Sequence, residues 1–79
     1  MLIFNKKKSM YDFYNKHNVF LYWFLKEHTE LSEKLYYLLI RYLVECLEQD
    51  IGMLVCLDER EQHKWIIEQI EDFIMQNSK

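Results

Sequence analysis

The chain has 79 residues, a formal net charge of −3, no proline and a single glycine, Gly52. A chain of this length holds one small domain with one hydrophobic core. Its composition excludes a disordered tail, a disulfide-dense secreted scaffold, a collagen-like chain and a multidomain enzyme.

The scarcity of turn-forming residues predicts an all-α fold, because a small β domain needs many turns built from glycine and proline. We expect a small up-down bundle of three helices, with a four-helix bundle as the alternative. Residues 1–8 are predicted to form an N-terminal extension, and residues 9–79 a single domain. The predicted helices span about 10–28, 31–50 and 59–76.

The first helix is predicted to start near Met10, because Ser9 followed by Asp12 resembles a capping box. A stripe at helical spacing predicts the inward side, which holds Met10, Tyr14, His17, Leu21, Phe24, Leu25 and His28. The opposite side is expected to face water. It carries Asp12, Asn15, Lys16, Lys26 and Glu27 and, unexpectedly for a solvated side, Val19, Tyr22 and Trp23.

The second helix is expected to begin after Thr29 or Ser32, either of which is a suitable N-cap. Its apolar side is wide enough for the central helix of a bundle and comprises Leu31, Leu35, Leu38, Leu39, Tyr42, Leu43, Cys46 and Leu47. The sequence leaves its end open: Gly52 can supply a left-handed cap, or the helix can run on to Leu57. A break at Gly52 is the favoured interpretation.

The third helix is predicted to begin after Asp58, which forms a second capping box with Glu61. Its expected core stripe consists of Ile66, Ile67, Ile70, Phe73 and Ile74. Trp65 lies about 140° from the centre of that stripe on a helical wheel. It is therefore predicted to face outward, on a side shared with Glu61, Glu68, Asp72 and Met75.

These outward aromatic residues are the main functional signal, because tryptophan is enriched at binding hot spots. The candidate binding residues are Val19, Tyr22, Trp23, Lys26, Glu61, Trp65, Glu68, Asp72 and Met75. The alternative is internal cover of either indole by residues 2–4 or 53–55. The carboxylates of the third helix are expected to orient a partner or to form a plain solvated face.

Other chemistries find little support in the sequence. His28, Cys46, Cys56 and His63 are possible metal ligands, but they lack the close spacing of zinc sites, and no cofactor is expected. No catalytic motif is present, so we predict that the protein is not an enzyme. Residues 27–79 are strongly acidic, which argues against nucleic acid, and no apolar stretch is long enough to span a membrane.

The sequence therefore predicts a non-catalytic, cytoplasmic interaction module that docks on a larger protein as a regulator or inhibitor. Its richness in residues with A/T-rich codons suggests an AT-rich genome. By analogy of size and composition, a protein from a mobile element or phage of such a host is favoured, with an anti-defence protein of the anti-CRISPR type as the instance. The alternatives are a helix-turn-helix-like transcriptional regulator, a homodimeric structural module and a bacteriocin-immunity-type protein.

Overall fold

A computed structural model describes residues 5–28 and 32–77, apart from the side chain of His28. This part of the chain forms three α-helices and no strand: α1 (Lys6–His28), α2 (Glu33–Leu54) and α3 (Glu59–Asn77). The predicted all-α helical bundle is confirmed. Some residues named in the sequence analysis lie outside the described residues. They are residues 2–4, which were possible cover for an indole, the alternative cap Thr29, and Leu31.

Helix α1 begins at Lys6, so the predicted start near Met10 is wrong by four residues. Asn5 provides the N-cap: its side-chain Oδ1 accepts from the Lys8 backbone N–H at 3.0 Å, and its carbonyl accepts from the Ser9 N–H at 3.0 Å. Asparagine caps helices as well as serine does. Ser9 therefore lies inside the first turns instead of capping them.

The inward side of α1 is rotated slightly from the predicted stripe. Phe13, His17, Leu21 and Leu25 are buried at a spacing of four residues, whereas Tyr14 is half-exposed at the edge. Phe13, which the predicted stripe does not include, packs edge-on against an aromatic ring of α3. Contact with α3 as well as α2 therefore sets which side of α1 is buried.

Helix α2 starts at Ser32, one of the two caps that the sequence left open, whose Oγ accepts from the Leu35 N–H at 3.2 Å. It continues to Leu54, so the predicted break at Gly52 is wrong, and no described glycine has a positive φ. Ile51 and Leu54 flank the glycine and are both fully buried. Because both side chains pack into the core, the helix continues through Gly52. A break there would remove them from the core.

Replacing Gly52 with alanine is expected to stabilise the protein by about 0.5–1 kcal/mol, because glycine is entropically costly inside a helix. A Cβ built at this position meets nothing within 4 Å, and the backbone is already in the conformation that alanine prefers. Urea denaturation monitored by circular dichroism measures the change. A loss of stability would instead indicate the left-handed cap expected from the sequence.

Helix α3 begins where the sequence predicts, with Asp58 Oδ1 accepting from the Glu61 N–H at 2.9 Å. Ile66, Ile70 and Phe73 are buried, as expected, while the predicted core residues Ile67 and Ile74 are only half-buried. The buried side extends instead to positions 62 and 65. Helix α3 is thus turned further toward α2 than its isoleucine pattern indicates.

Candidate functional site

The outer face of α1 carries a continuous set of exposed side chains on two neighbouring ridges at i, i+4 spacing. We define this face by those ridges: Tyr11, Asn15, Val19 and Trp23 on one, and Tyr14, Asn18, Tyr22 and Lys26 on the other. Val19, Tyr22 and Trp23 are 66%, 60% and 59% exposed. Their exposure agrees with the sequence expectation, while their role in binding stays a prediction.

The chemistry of the outer face of α1 is aromatic, amide and cationic. The two ridges as defined hold no carboxylate, but exposed carboxylates border them: Glu27 lies one turn after Trp23, and Asp12 lies beside Tyr11 and Asn15. The Lys26 ammonium lies 6.0 Å from the centroid of the Tyr22 ring, within the range of a cation–π interaction. Four exposed aromatic rings on one helix constitute an apolar patch of the kind that marks interaction sites.

Trp65 does not belong to any exposed surface, so the prediction that it faces outward is wrong. It is only 7% exposed. Its indole Nε1–H donates to Asp50 Oδ2 on α2 at 2.9 Å, and its ring meets Phe13 of α1 at 5.9 Å in an edge-on arrangement. The cover comes from α1 and α2, which hold the ring in place at the centre of the bundle.

The remaining predicted residues of α3 are exposed: Glu61, Glu68, Asp72 and Met75. Without Trp65, this side of α3 has a single large apolar group, Met75. Carboxylates in water next to one methionine form an ordinary solvated face. Of the nine predicted binding residues, only the four on α1 therefore belong to an exposed aromatic surface.

A buried polar junction joins all three helices, and sequence reasoning missed its centre, Gln62. The Gln62 amide nitrogen donates to the carbonyls of Leu54 at 2.8 Å and Leu57 at 3.2 Å, at the end of α2. Its Oε1 receives the Lys16 ammonium at 3.3 Å and faces His17 Nε2 at 2.8 Å. The sequence does contain a signal for this junction, because Gln62 lies four residues before Ile66 and therefore on the core side of α3.

The junction fixes the tautomer of His17, which is only 2% exposed. Because the Gln62 amide nitrogen is occupied as a donor, its oxygen must be the acceptor for His17. His17 therefore donates through Nε2–H, and Nδ1 is unprotonated. Nδ1 is buried and has no hydrogen-bond partner within the described residues.

Aromatic rings surround the junction on the side of α1 and α3. His63 stacks on Phe20 with centroids 4.0 Å apart and planes at 7°, and it meets His17 edge-on at 4.9 Å. Phe13 also packs against His17, with ring centroids 4.6 Å apart. Glu59 lies 3.8 Å from His63 Nε2. These contacts place two imidazoles side by side, one buried and one near water.

Burial lowers the pKa of His17, and the charges of His63 and Lys16 act in the same direction. The hydrogen bond with Gln62 and the carboxylate of Glu59 oppose the shift without cancelling it. The unfolded chain therefore takes up a proton at a higher pH than the folded one. The contribution of His17 to the free energy of unfolding is therefore fully present above the ordinary histidine pKa of ~6.5.

We accordingly expect stability to fall as the pH drops below ~6.5 toward the lower folded-state pKa of His17. The urea midpoint should be lower at pH 5.5 than at pH 7.5, and the difference should shrink in His17→Gln. Equal midpoints for the unaltered protein at both values would contradict the assignment of a neutral, buried His17.

An apolar cavity of about 40 Å³ lies between α1 and α2, next to the outer face of α1. Tyr14 and Val44, both half-exposed, lie at its edge, and Trp65 and Ile66 of α3 form part of its wall. Leu21, Ile40, Leu43 and Leu47 contribute most of the remaining lining. The cavity is a local packing defect in the core beneath an exposed aromatic surface.

The described residues contain no group of three or more histidine, cysteine or acidic side chains placed to hold a metal ion. Cys46 and Cys56 are free thiols. Burial raises the pKa of Cys46, which keeps that thiol protonated and unreactive. Among the described helices, none is both long and apolar enough to cross a bilayer.

No known protein family, curated protein or solved structure matches this chain.

Proposed function

We propose that this protein is a non-catalytic interaction module that regulates or inhibits a larger protein by docking through the outer face of α1. The observation that carries the proposal is the exposure of Trp23, Val19 and Tyr22 together on one helix, beside the Lys26 ammonium. Tryptophan and tyrosine contribute large contact areas at little rotamer cost, and both dominate binding hot spots.

Charge supports a protein partner with an acidic surface. Helix α1 contains five lysines against Asp12 and Glu27, whereas the chain as a whole is negative. Oppositely charged rims raise the rate of association and fix the orientation of a complex. The outer face of α1 would supply affinity through its rings, and the lysines of α1, of which Lys26 lies on that face, would orient the partner.

The acidic side of α3 favours a protein partner over DNA. A helix-turn-helix regulator would have to bring α3 into the major groove, where Glu61, Glu68 and Asp72 would meet phosphate. We therefore propose a protein as the partner, and the cytoplasm as the compartment in which it acts. An inhibitor of the anti-CRISPR type from a mobile element remains the instance that size and composition favour.

Affinity capture from extracts of the source cells tests the proposal. The bait is the unaltered protein, Trp23→Ala, or Met75→Ala as a matched control that removes an exposed apolar side chain from α3. We expect Trp23→Ala to lower recovery of the partner at least tenfold, and Met75→Ala to leave it unchanged. Circular dichroism verifies that both variants remain folded.

Two results would contradict the proposal. One is partner recovery that is unaffected by Trp23→Ala. The other is a dimer in light scattering that Trp23→Ala converts to a monomer, which would assign the face to a homodimeric module instead.

A further inference from the structure

We propose that α2 pairs with α2 of a second copy of this chain in an antiparallel homodimer. The contact is made by the outer ridge of α2, which we define as the exposed residues on its outward side: Lys34, Tyr37, Leu38, Arg41, Glu45 and Glu48. The inference goes beyond the proposed docking function. It leaves the outer face of α1 free for a different partner.

The first half of α2 is apolar around its whole circumference. Residues 35–40 are six consecutive apolar side chains, and successive residues differ by about 100° around a helix. A helix that is apolar on every side is normally buried on every side. Leu39 and Leu43 are buried within the monomer, but Tyr37 and Leu38 are 64% and 37% exposed. The outward side of this segment therefore lacks the cover that its composition favours.

The exposed surface of the chain is larger than a monomer of its size requires. It amounts to 6335 Å², whereas a folded monomer of 9.9 kDa exposes about 5,200 Å². The surplus of about 1,100 Å² exceeds the ~800 Å² that each partner buries in an interface of standard size. The chain therefore has enough surplus surface for a stable dimer.

The order of charges along the outer ridge of α2 favours a second copy over another partner. Lys34 and Arg41 come first and Glu45 and Glu48 follow, so one half of the ridge is basic and the other half is acidic. Two-fold symmetry brings the same patch of both chains together. When one helix is reversed, the basic half of each ridge meets the acidic half of the other. A parallel copy, or a partner of uniform charge, would meet like charges on part of the ridge.

The apolar part of the ridge lies at the centre of such a pair. A two-fold axis between residues 39 and 40 places Lys34 opposite Glu45 of the second copy, and the reverse. The same axis brings Tyr37 and Leu38 of both chains within one turn of the centre of the interface. Apolar and aromatic side chains at the centre, with charges outside them, form the usual arrangement of a hot spot and its rim.

Two further charges on α2 leave this pattern unchanged. Glu33 lies about 100° around the helix from Lys34, in the first turn, where a carboxylate interacts favourably with the helix dipole. Glu48 lies 4.0 Å from the Lys6 ammonium, and both side chains are more than half exposed. An exposed ion pair of this kind contributes little, so Glu48 remains available to a second copy.

Sedimentation velocity at protein concentrations up to about 0.5 mM measures the dimer. We expect a reversible equilibrium between the 9.9 kDa monomer and a species of twice that mass. Tyr37→Glu should raise the dissociation constant about tenfold or more, because it places a carboxylate in the apolar centre. Tyr11→Glu makes the same change at a similarly exposed tyrosine of α1 and should leave the constant unchanged. Circular dichroism verifies that both variants remain folded.

A pair of charge reversals tests the antiparallel arrangement. Lys34→Glu and Glu45→Lys should each weaken the dimer about tenfold, because each brings like charges together across the two-fold axis. The double variant should recover the affinity of the unaltered protein, since the two charges of that contact have only exchanged places. Lys34 and Glu45 are about 16 Å apart along one helix, which is too far for a pair within the chain. Recovery would therefore come from contact between copies.

Three outcomes would overturn the inference: a monomer at every concentration, an equal effect of Tyr11→Glu, or no recovery in the double variant. Loss of affinity capture in Tyr37→Glu, with the unaltered protein monomeric, would assign the ridge to a different partner. Trp23→Ala should leave the dimer intact, because Trp23 lies on the outer face of α1. Failure of the dimer and failure of the docking function are thus measured separately.

Discussion

Replacing Trp65 with alanine is expected to lower the free energy of unfolding by about 3–5 kcal/mol, the usual range for removing a buried tryptophan. The ring contacts Phe13 and donates to Asp50 from within the core. A chain of this length has a total stability of roughly 4–12 kcal/mol. Trp65→Ala should therefore remove between about a quarter and all of the stability, as measured by circular dichroism and urea denaturation.

Trp23→Ala is the matched control, because it makes the same chemical change on the outer face of α1. Trp23 is mostly exposed, so its removal should change stability by no more than about 0.5 kcal/mol. Comparable losses in the two variants would contradict the placement of the indoles. A Trp65→Ala protein as stable as the unaltered protein would contradict the buried position of that ring directly.

A third variant, Trp65→Phe, separates ring burial from the hydrogen bond. Phenylalanine keeps most of the apolar contact with Phe13 but lacks the donor that Asp50 Oδ2 receives. The expected cost lies between the other two variants, because a partly buried carboxylate loses its partner. Near-equality with the alanine variant would show that the hydrogen bond, more than the ring, fixes α3 against α2.

Local capping chemistry made two of the three helix starts predictable. Ser32 and Asp58 each accept a backbone N–H three residues ahead, as their side chains favour. The start of α1 was mispredicted because Asn5 and Ser9 are both competent caps. The helix begins at the earlier cap, Asn5, and gains a full turn, because nothing near Ser9 in the sequence favours ending the helix there.

The error at Trp65 shows where helical periodicity stops being informative. The isoleucines of α3 define one apolar direction, but α3 packs against both α1 and α2 and so buries a wider arc. Asp50 on α2 supplies an acceptor for the indole, and this partner lies fifteen residues away in the chain. A pattern confined to one helix cannot include it.

The exposed residues of the candidate site on α1, by contrast, could be predicted from the pattern of that one helix. Val19 and Trp23 lie about 160° from Leu21 on the wheel and Tyr22 about 100° from it, so burying Leu21 turns all three away from the core. The cavity could not be predicted, since it arises from the fit between side chains of three helices. The same holds for the junction at Gln62, which depends on where α2 ends.

Replacing Gln62 with leucine is expected to lower the free energy of unfolding by about 2–4 kcal/mol, although the new side chain is apolar and similar in size. The His17 Nε2–H would lose its acceptor in a fully buried site. The Leu57 carbonyl would lose its donor, whereas the Leu54 carbonyl keeps the Leu57 N–H at 3.0 Å. Urea denaturation at pH 7.5 measures the cost, with Gln49→Leu as the exposed control on α2.

Gln62→Glu distinguishes the two halves of the junction. A glutamate still accepts from His17, but its carboxylate faces the Leu54 and Leu57 carbonyls, to which it cannot donate. The nearby negative charge should raise the pKa of His17 from its lowered value, so that His17 binds a proton more readily in the folded state. The loss of stability between pH 7.5 and 5.5 should therefore be smaller than in the unaltered protein. An undiminished loss would show that His17 is not the group through which acid acts.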